Sequence, residues 1–216
     1  MEILRAVDRA AVPWKNGAGV TREVCADIEA DGFDFGWRLS TADVCSNGPF
    51  SRFSGVDRHL AVLEGRMRLK IDQEHPIELA ASSPPKSFVG EAETSAAVLE
   101  PVVDLNLMIR RDSYRGALER KRIERAIEVG DQDSTLVIFA IEAVGVSGSK
   151  LARWDAVRLE RGETAVIEPT TKQVQVIIAR IWPIRPVGGG EYGDVSVASR
   201  DVAAALLFVG KRKPEG

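Results

Sequence analysis

Three short segments of this 216-residue chain hold side chains able to grip a small anion. The first runs Pro13-Trp14-Lys15-Asn16-Gly17-Ala18-Gly19-Val20-Thr21-Arg22-Glu23. Its glycine-bearing turn lets backbone N–H groups approach a ligand closely, and Lys15, Asn16 and Arg22 add side-chain donors. It does not follow the G-x-x-x-x-G-K-[ST] pattern of a phosphate-cradling loop. An Asn-Gly turn between two strands, with Trp14 in the core, also accounts for it. The second segment is Trp37-Arg38-Leu39-Ser40, where a strand puts Arg38 and Ser40 on the face opposite Trp37 and Leu39. Lining an interior, Arg38 becomes a two-pronged carboxylate clamp with Ser40 beside it; facing water, both are merely solvated. In the third, Asp104, Asn106 and Arg110 share a strand face with Met108 between them. That pattern suits a lined pocket, or a surface ion pair worth about 0–1 kcal/mol.

Acid–base chemistry has one candidate couple. In Gly48-Pro49-Phe50-Ser51-Arg52-Phe53-Ser54-Gly55-Val56-Asp57-Arg58-His59, a strand places Asp57 and His59 on one face and Arg58 on the other. The imidazole titrates near neutrality, although a partly buried strand histidine fits the same pattern. His75 sits in a polar turn and reads as solvated. Cys25 and Cys45 lie in no charged surrounding that would lower a thiol pKa, so both read as buried and inert.

The elements that must carry these residues are strands. Phe33, Phe35, Trp37, Leu39 and Thr41 alternate with polar or small residues, as do Met67, Leu69 and Ile71 and the run Val103, Leu105, Leu107 and Ile109. Gly, Pro, Asn and Asp clusters separate them. Ser113 to Val129 is ambiguous between helix and strand. Leu136 to Ile141, Val157 to Ile167 and Val174 to Ile181 resume the alternation. Pro183, Pro186 and Gly188 to Gly190 suggest an exposed loop. An all-β protein with strand-turn-strand units in each half follows, and two double-sheet halves of about 100 residues each fit the length.

Composition sets the outer limits. With only His59, His75, Cys25 and Cys45, a three-His or four-Cys metal site of the usual spacing is out of reach, as is a disulfide framework. A net charge of −3 argues against nucleic acid as the main partner. The basic cluster from Arg110 to Arg125 is interleaved with Asp112, Glu119 and Glu124 and reads as a solvated face. No apolar run approaches the roughly 20 residues of a membrane-spanning helix, and the N-terminus has no secretory apolar core. A cytoplasmic protein with no membrane partner is expected.

Several motifs in order resemble the HutD/Ves family. They are Trp14-Lys15-Asn16-Gly17-Ala18-Gly19-Val20-Thr21-Arg22-Glu23, with Ala18 where the family usually has Gly; Trp37-Arg38-Leu39-Ser40-Thr41-Ala42-Asp43-Val44; Gly48-Pro49-Phe50-Ser51-Arg52-Phe53; Gly55-Val56-Asp57-Arg58; Leu63-Glu64-Gly65; and Asp104-Leu105-Asn106-Leu107-Met108. The resemblance implies a bicupin, two RmlC-like jelly-roll barrels in one chain. Residues 1–112 would form the half carrying the motifs, 113–210 the second half and 211–216 a flexible tail. It implies a ligand-binding protein tied to histidine utilisation, holding a small anionic ligand of the formylglutamate or urocanate class. Carried onto this chain, the ligand-binding positions are Lys15, Asn16, Thr21, Arg22, Arg38, Ser40, Arg58, Asp104 and Asn106. Cupins commonly hold a metal in a His-rich cluster, whereas Asp57-Arg58-His59 offers one His beside an Arg. No metal and no other cofactor is therefore expected, and a homodimer is an assembly the sequence allows. The alternative is a cupin-fold hydrolase or isomerase acting on an amide or formyl substrate.

Overall fold

The computed structural model of the chain describes residues 1–14, 17, 19–28 and 35–184. In chain order the first strands are β1 (Glu2–Leu4), β2 (Ala11–Pro13), β3 (Gly19–Ile28), β4 (Phe35–Val44), β5 (Gly48–Pro49), β6 (Val56–Ile71), β7 (Ile77–Ala80), β8 (Lys86–Val89) and β9 (Thr94–Arg110). Then follow β10 (Tyr114–Ile123), β11 (Ile127–Gly130), β12 (Thr135–Ala140), β13 (Val144–Val146), β14 (Ser149–Leu151), β15 (Ala156–Leu159), β16 (Thr164–Pro169) and β17 (Val174–Pro183). One 3-10 turn, Ala6–Asp8, is the only helical piece among the described residues. No helix there is long and apolar enough to cross a membrane. The expected Gly188 to Gly190 loop and 211–216 tail lie outside the described residues, as does Phe33.

The ambiguous stretch holds two strands, β10 and most of β11. β10 pairs antiparallel with β17 over ten residues, from Tyr114↔Pro183 to Ile123↔Val174. Its partner is about sixty positions away, so local composition carries no sign of it, while β17 would otherwise present an apolar, unpaired edge.

The first half forms one sheet, ordered β2-β3-β4-β9-β6-β7, with β5 added on β9 and β8 on β6. The second half has two facing sheets, β1-β15-β12-β17-β10 and β11-β16-β13-β14. Between them lies an aliphatic core that includes Leu136, Ile138, Val157, Leu159, Ile167, Val176 and Ile178. Among the described residues all three sheets are open, with end strands, so the expected all-β class holds as packed open sheets. Strand β1 also crosses halves: it pairs with β15 (Glu2↔Arg158) in the second half's sheet.

Strand parity decides which side chains face where. Trp37 and Leu39 of β4, Ala61 and Leu63 of β6, and Leu105, Leu107 and Ile109 of β9 form one buried cluster with Val137, Phe139, Ile177 and Ala179 of the second half. These odd-numbered residues therefore mark the contact between halves. The even-numbered residues point the other way, onto a core of Ala42, Val44, Leu60, Val62 and Val102 that meets Met67, Leu69, Ile71, Leu79 and Ala96. In β6 the inward set thus changes from even to odd between Val62 and Met67. That change needs a bulge, and the β6–β9 register shifts around Glu64 and Arg66. Gly65 sits there with φ +75°.

Cys25 is buried, and burial pushes its thiol up to about 12. Cys45 is exposed just past the end of β4, so the expectation of two buried thiols holds for one.

Candidate functional site

The inner face of the first sheet gathers six of the nine predicted positions into three neighbouring rows. In register, Arg38 and Arg58 both flank Met108, Ser40 and Leu60 flank Asn106, and Ala42 and Val62 flank Asp104. At about 3.4 Å per residue, the arginine row lies roughly 7 Å from the Asn106 row and 14 Å from the Asp104 row. Thr21 extends the last row, opposite Ala42 on β3. Ser40, Arg58, Asp104, Asn106 and Thr21 are buried, and Arg38 is half-buried.

Each arginine is held differently. Arg38 Nη2 donates to Met108 Sδ at 3.6 Å, and its guanidinium lies 5.3 Å from the Phe35 ring. Arg58, 7% exposed, is enclosed by Phe50, Phe88 and Phe53 at 5.0, 5.1 and 5.8 Å. Its Nη1 also donates to the Ser51 carbonyl at 3.4 Å. The aromatic loop after Gly48 thus packs back over the sheet through Arg58, with cation–π contact in place of water. Phe50 and Phe53 were legible as such a loop, whereas Phe88 arrives from β8 with no local signal.

Electrostatics mark this face. Burial lowers the Arg58 guanidinium to about 10, Asp104 opposing and Arg38 adding to the fall. Burial likewise lowers Arg38, with Glu23 opposing. Burial raises the Asp104 carboxyl to about 7, against the attraction of Arg58 and with the repulsion of Asp43. Arg38 Nε, Arg58 Nε, Asp104 Oδ1 and Asn106 Oδ1 are all buried without a hydrogen-bond partner. Buried donors and acceptors left unpaired are costly, about 1–3 kcal/mol each, and native proteins keep few of them.

Thr21 links this face to the glycine turn, and the remaining positions lie elsewhere. Thr21 Oγ1 accepts from Trp14 Nε1 at 2.7 Å, which anchors the start of the glycine turn to the inner face. The turn closes through Trp14 N–H to the Gly19 carbonyl at 2.9 Å. Lys15 and Asn16 themselves lie outside the described residues. Arg22 falls on the opposite face of β3, opposite Thr41, where Nη1 pairs with Asp43 Oδ2 at 2.7 Å. Arg110 ends β9 opposite Val56.

The Asp57–His59 couple is also on the outer side. Arg111 engages Asp57 at 2.8 Å, and His59 Nδ1 meets Ser87 Oγ at 2.7 Å. Burial lowers the imidazole pKa despite Asp57. Neither side chain shares a face with Arg58. Among the described residues no three His, Cys, Asp or Glu side chains converge as a metal group. Two guanidiniums and one carboxylate on the inner face do not fit a divalent cation, which takes several neutral or anionic donors.

Known proteins place this geometry in context. The family model described as HutD matches residues 6–180. An uncharacterised 21.2 kDa protein in the hutC 3′ region of Pseudomonas putida is 35% identical over 169 residues, 74% of this chain and 87% of that one. Protein Ves of Citrobacter koseri is 33% identical over 150 residues, 66% of this chain and 73% of its own. The structure of HutD from Pseudomonas fluorescens SBW25, determined in a formate condition, superposes with a TM-score of 0.74 at 28% identity, covering 84% of this chain and 98% of that one. More distant likeness concerns the fold alone. A cupin 2 conserved barrel protein from Leptotrichia buccalis gives a TM-score of 0.52 at 7% identity, covering 76% of this chain and 88% of that one.

Proposed function

The chain belongs to the HutD family, and from that premise we propose that the inner face of its first sheet binds a small carboxylated molecule without a metal. The ligand class is that of histidine-degradation intermediates such as formylglutamate or urocanate, and the protein, cytoplasmic on this reading, senses it and modulates histidine utilisation. A relative in the hutC 3′ region supports the link to that locus. We read the two halves, further, as a pair of jelly rolls that diverged into open sheets.

One observation carries the binding proposal: Arg38 and Arg58 flank Met108 one row from Asn106, with unpaired polar atoms in both rows. A carboxylate at Arg38 leaves an amide or formyl group roughly 7 Å away, within reach of Asn106 and Ser40. Arg58, caged by three rings, braces the site and adds positive potential. Charge-assisted bonds worth about 1.5–3 kcal/mol each reach micromolar affinity from three or four contacts after ordering costs.

A thermal-shift series with formylglutamate, urocanate and glutamate tests this. At least one is expected to stabilise the protein at millimolar concentration, and Arg38→Ala to weaken that ligand about tenfold or more. No shift with any of them, or a shift unchanged in Arg38→Ala, contradicts the proposal.

One observation favours the enzymatic alternative. A carboxyl that titrates at about 7 beside the amide-reading row has the pKa of a general acid–base group at neutral pH. On that reading Asp104→Asn abolishes turnover of a formylated or cyclic amide, while His59→Ala leaves it intact. Binding without turnover by the purified protein decides for the sensor.

A further inference from the structure

The two halves also meet around a recess that uses none of the inner-face residues. It has a volume of about 370 Å³, and its walls include Arg9, Arg22, Thr41, Asp43, Val103 and Trp154. That volume lies within the range of about 300–1,000 Å³ typical of small-molecule sites.

The recess is assembled from distant parts of the chain. Asp155, 2% exposed, ties them together. Its carboxylate accepts from the backbone N–H groups of Ala6 and Ala152 at 2.8 and 3.0 Å and from Arg5 at 2.7 Å. The segment between β1 and β2 is thereby fixed against the turn that carries Trp154. In that turn Trp154 adopts φ +69°, a left-handed conformation costly for a bulky side chain, and its backbone N–H donates to the Ala140 carbonyl at 2.6 Å. The indole packs on the core between the halves, with the Arg153 guanidinium 4.7 Å from its ring. Arg9 lies over Phe139 at 5.6 Å.

Two donors of these walls are unused. Arg9 Nε and Trp154 Nε1 are buried and have no hydrogen-bond partner, although a buried indole N–H ordinarily finds one. The Arg22 charge is balanced by Asp43 at 2.7 Å. The walls therefore carry two guanidiniums against one carboxylate, and an excess positive charge rests on the Arg9 side.

We propose that this recess is a second binding site, which takes a small monocarboxylate with a flat apolar body. The carboxylate lies between Arg9 and the Trp154 indole N–H, which donates a further bond to it, and the body lies against Val103 and the indole. The Arg22–Asp43 pair forms the opposite wall and disfavours a second negative charge. Arg9 comes from the segment between β1 and β2 and Trp154 from the second half, so an occupant touches both halves at once and steadies their contact.

Benzoate is a suitable probe, titrated into the full chain by calorimetry. An Arg38-independent site is expected, weakened about tenfold in Arg9→Gln and several-fold in Trp154→Phe, which keeps one aromatic ring and removes the pyrrole part of the indole with its N–H. Trp154→Phe carries the test if Arg9→Gln does not fold. The Arg38→Ala arm separates this site from the inner face. The proposal is overturned if benzoate shows no saturable binding. It is equally overturned if all binding disappears in Arg38→Ala, or if Trp154→Phe and a folded Arg9→Gln both bind as the parent does.

Discussion

Asp104→Asn is expected to stabilise the protein by about 4 kcal/mol at pH 8, and by little at about pH 4. The carboxyl is buried and its pKa rises from an ordinary 3.8 to about 7. The folded state therefore holds the proton through a pH window in which the unfolded chain has lost it. In that window the folded state binds more protons, so stability falls as pH rises from about 4 to about 7 and stays low above. This is the reverse of a carboxylate held in an ion pair. Asparagine cannot ionise, so the variant escapes the loss while keeping a side chain of similar size. Denaturant midpoints of both proteins between about pH 4 and pH 8 check the prediction. A variant that tracks the parent at every pH would show that Asp104 titrates in the fold as it does in the unfolded chain. The same proton bears on the ligand: above pH 7 an ionised Asp104 opposes a bound anion, so affinity is expected to decline with rising pH.

Gly65→Ala is expected to cost about 4 kcal/mol, a large part of the roughly 5–15 kcal/mol that holds a typical domain together. Two causes combine. Gly65 has φ +75°, which for an L residue costs about 1–2 kcal/mol. An added Cβ would stand 1.9 Å from the Pro101 carbonyl oxygen and 2.7 Å from its carbon. Those atoms are backbone of the paired strand β9 and cannot rotate away, so overpacking adds about 1–3 kcal/mol. Gly55 provides the control: its φ is +72°, but nothing lies within 4 Å of its Cβ position. Gly55→Ala should therefore cost only about 1–2 kcal/mol. Urea unfolding of the two variants separates strain from collision, and equal losses would refute the role assigned to the bulge.

The bulge also shows where sequence reading reaches its limit. Alternation in 37–41, 66–71 and 103–110 was enough to place strands, because a period of two is a local property. It could not say which parity faces inward, since both faces of β4 are covered. Trp37 and Leu39 meet the second half while Arg38 and Ser40 meet the first half's own interior. Only the packing of Phe139 and Ile177 on the odd-numbered face resolves that choice. Arg22 illustrates the same limit. It lies one residue from Thr21 in a shared motif, yet period-two geometry sends it to the opposite face and into a pair with Asp43. The resemblance grouped motifs by sequence, and the sheet divides them by face. Arg9 and Trp154 had no sequence signal at all. Their proximity depends on β1 joining the second half's sheet and on Asp155 tying two turns about 150 positions apart.

On the proposed reading, Arg38, Ser40, Asn106 and Asp104 form one binding face for a carboxylated ligand. A crystal structure with the strongest stabiliser from the thermal-shift series tests it most directly. The ligand's carboxylate is expected within hydrogen-bonding distance of the Arg38 guanidinium and its amide or imidazole end at Asn106. A ligand seated only on the outer face, beside His59 or Arg22, with Asp104 and Asn106 still unpaired, would contradict it.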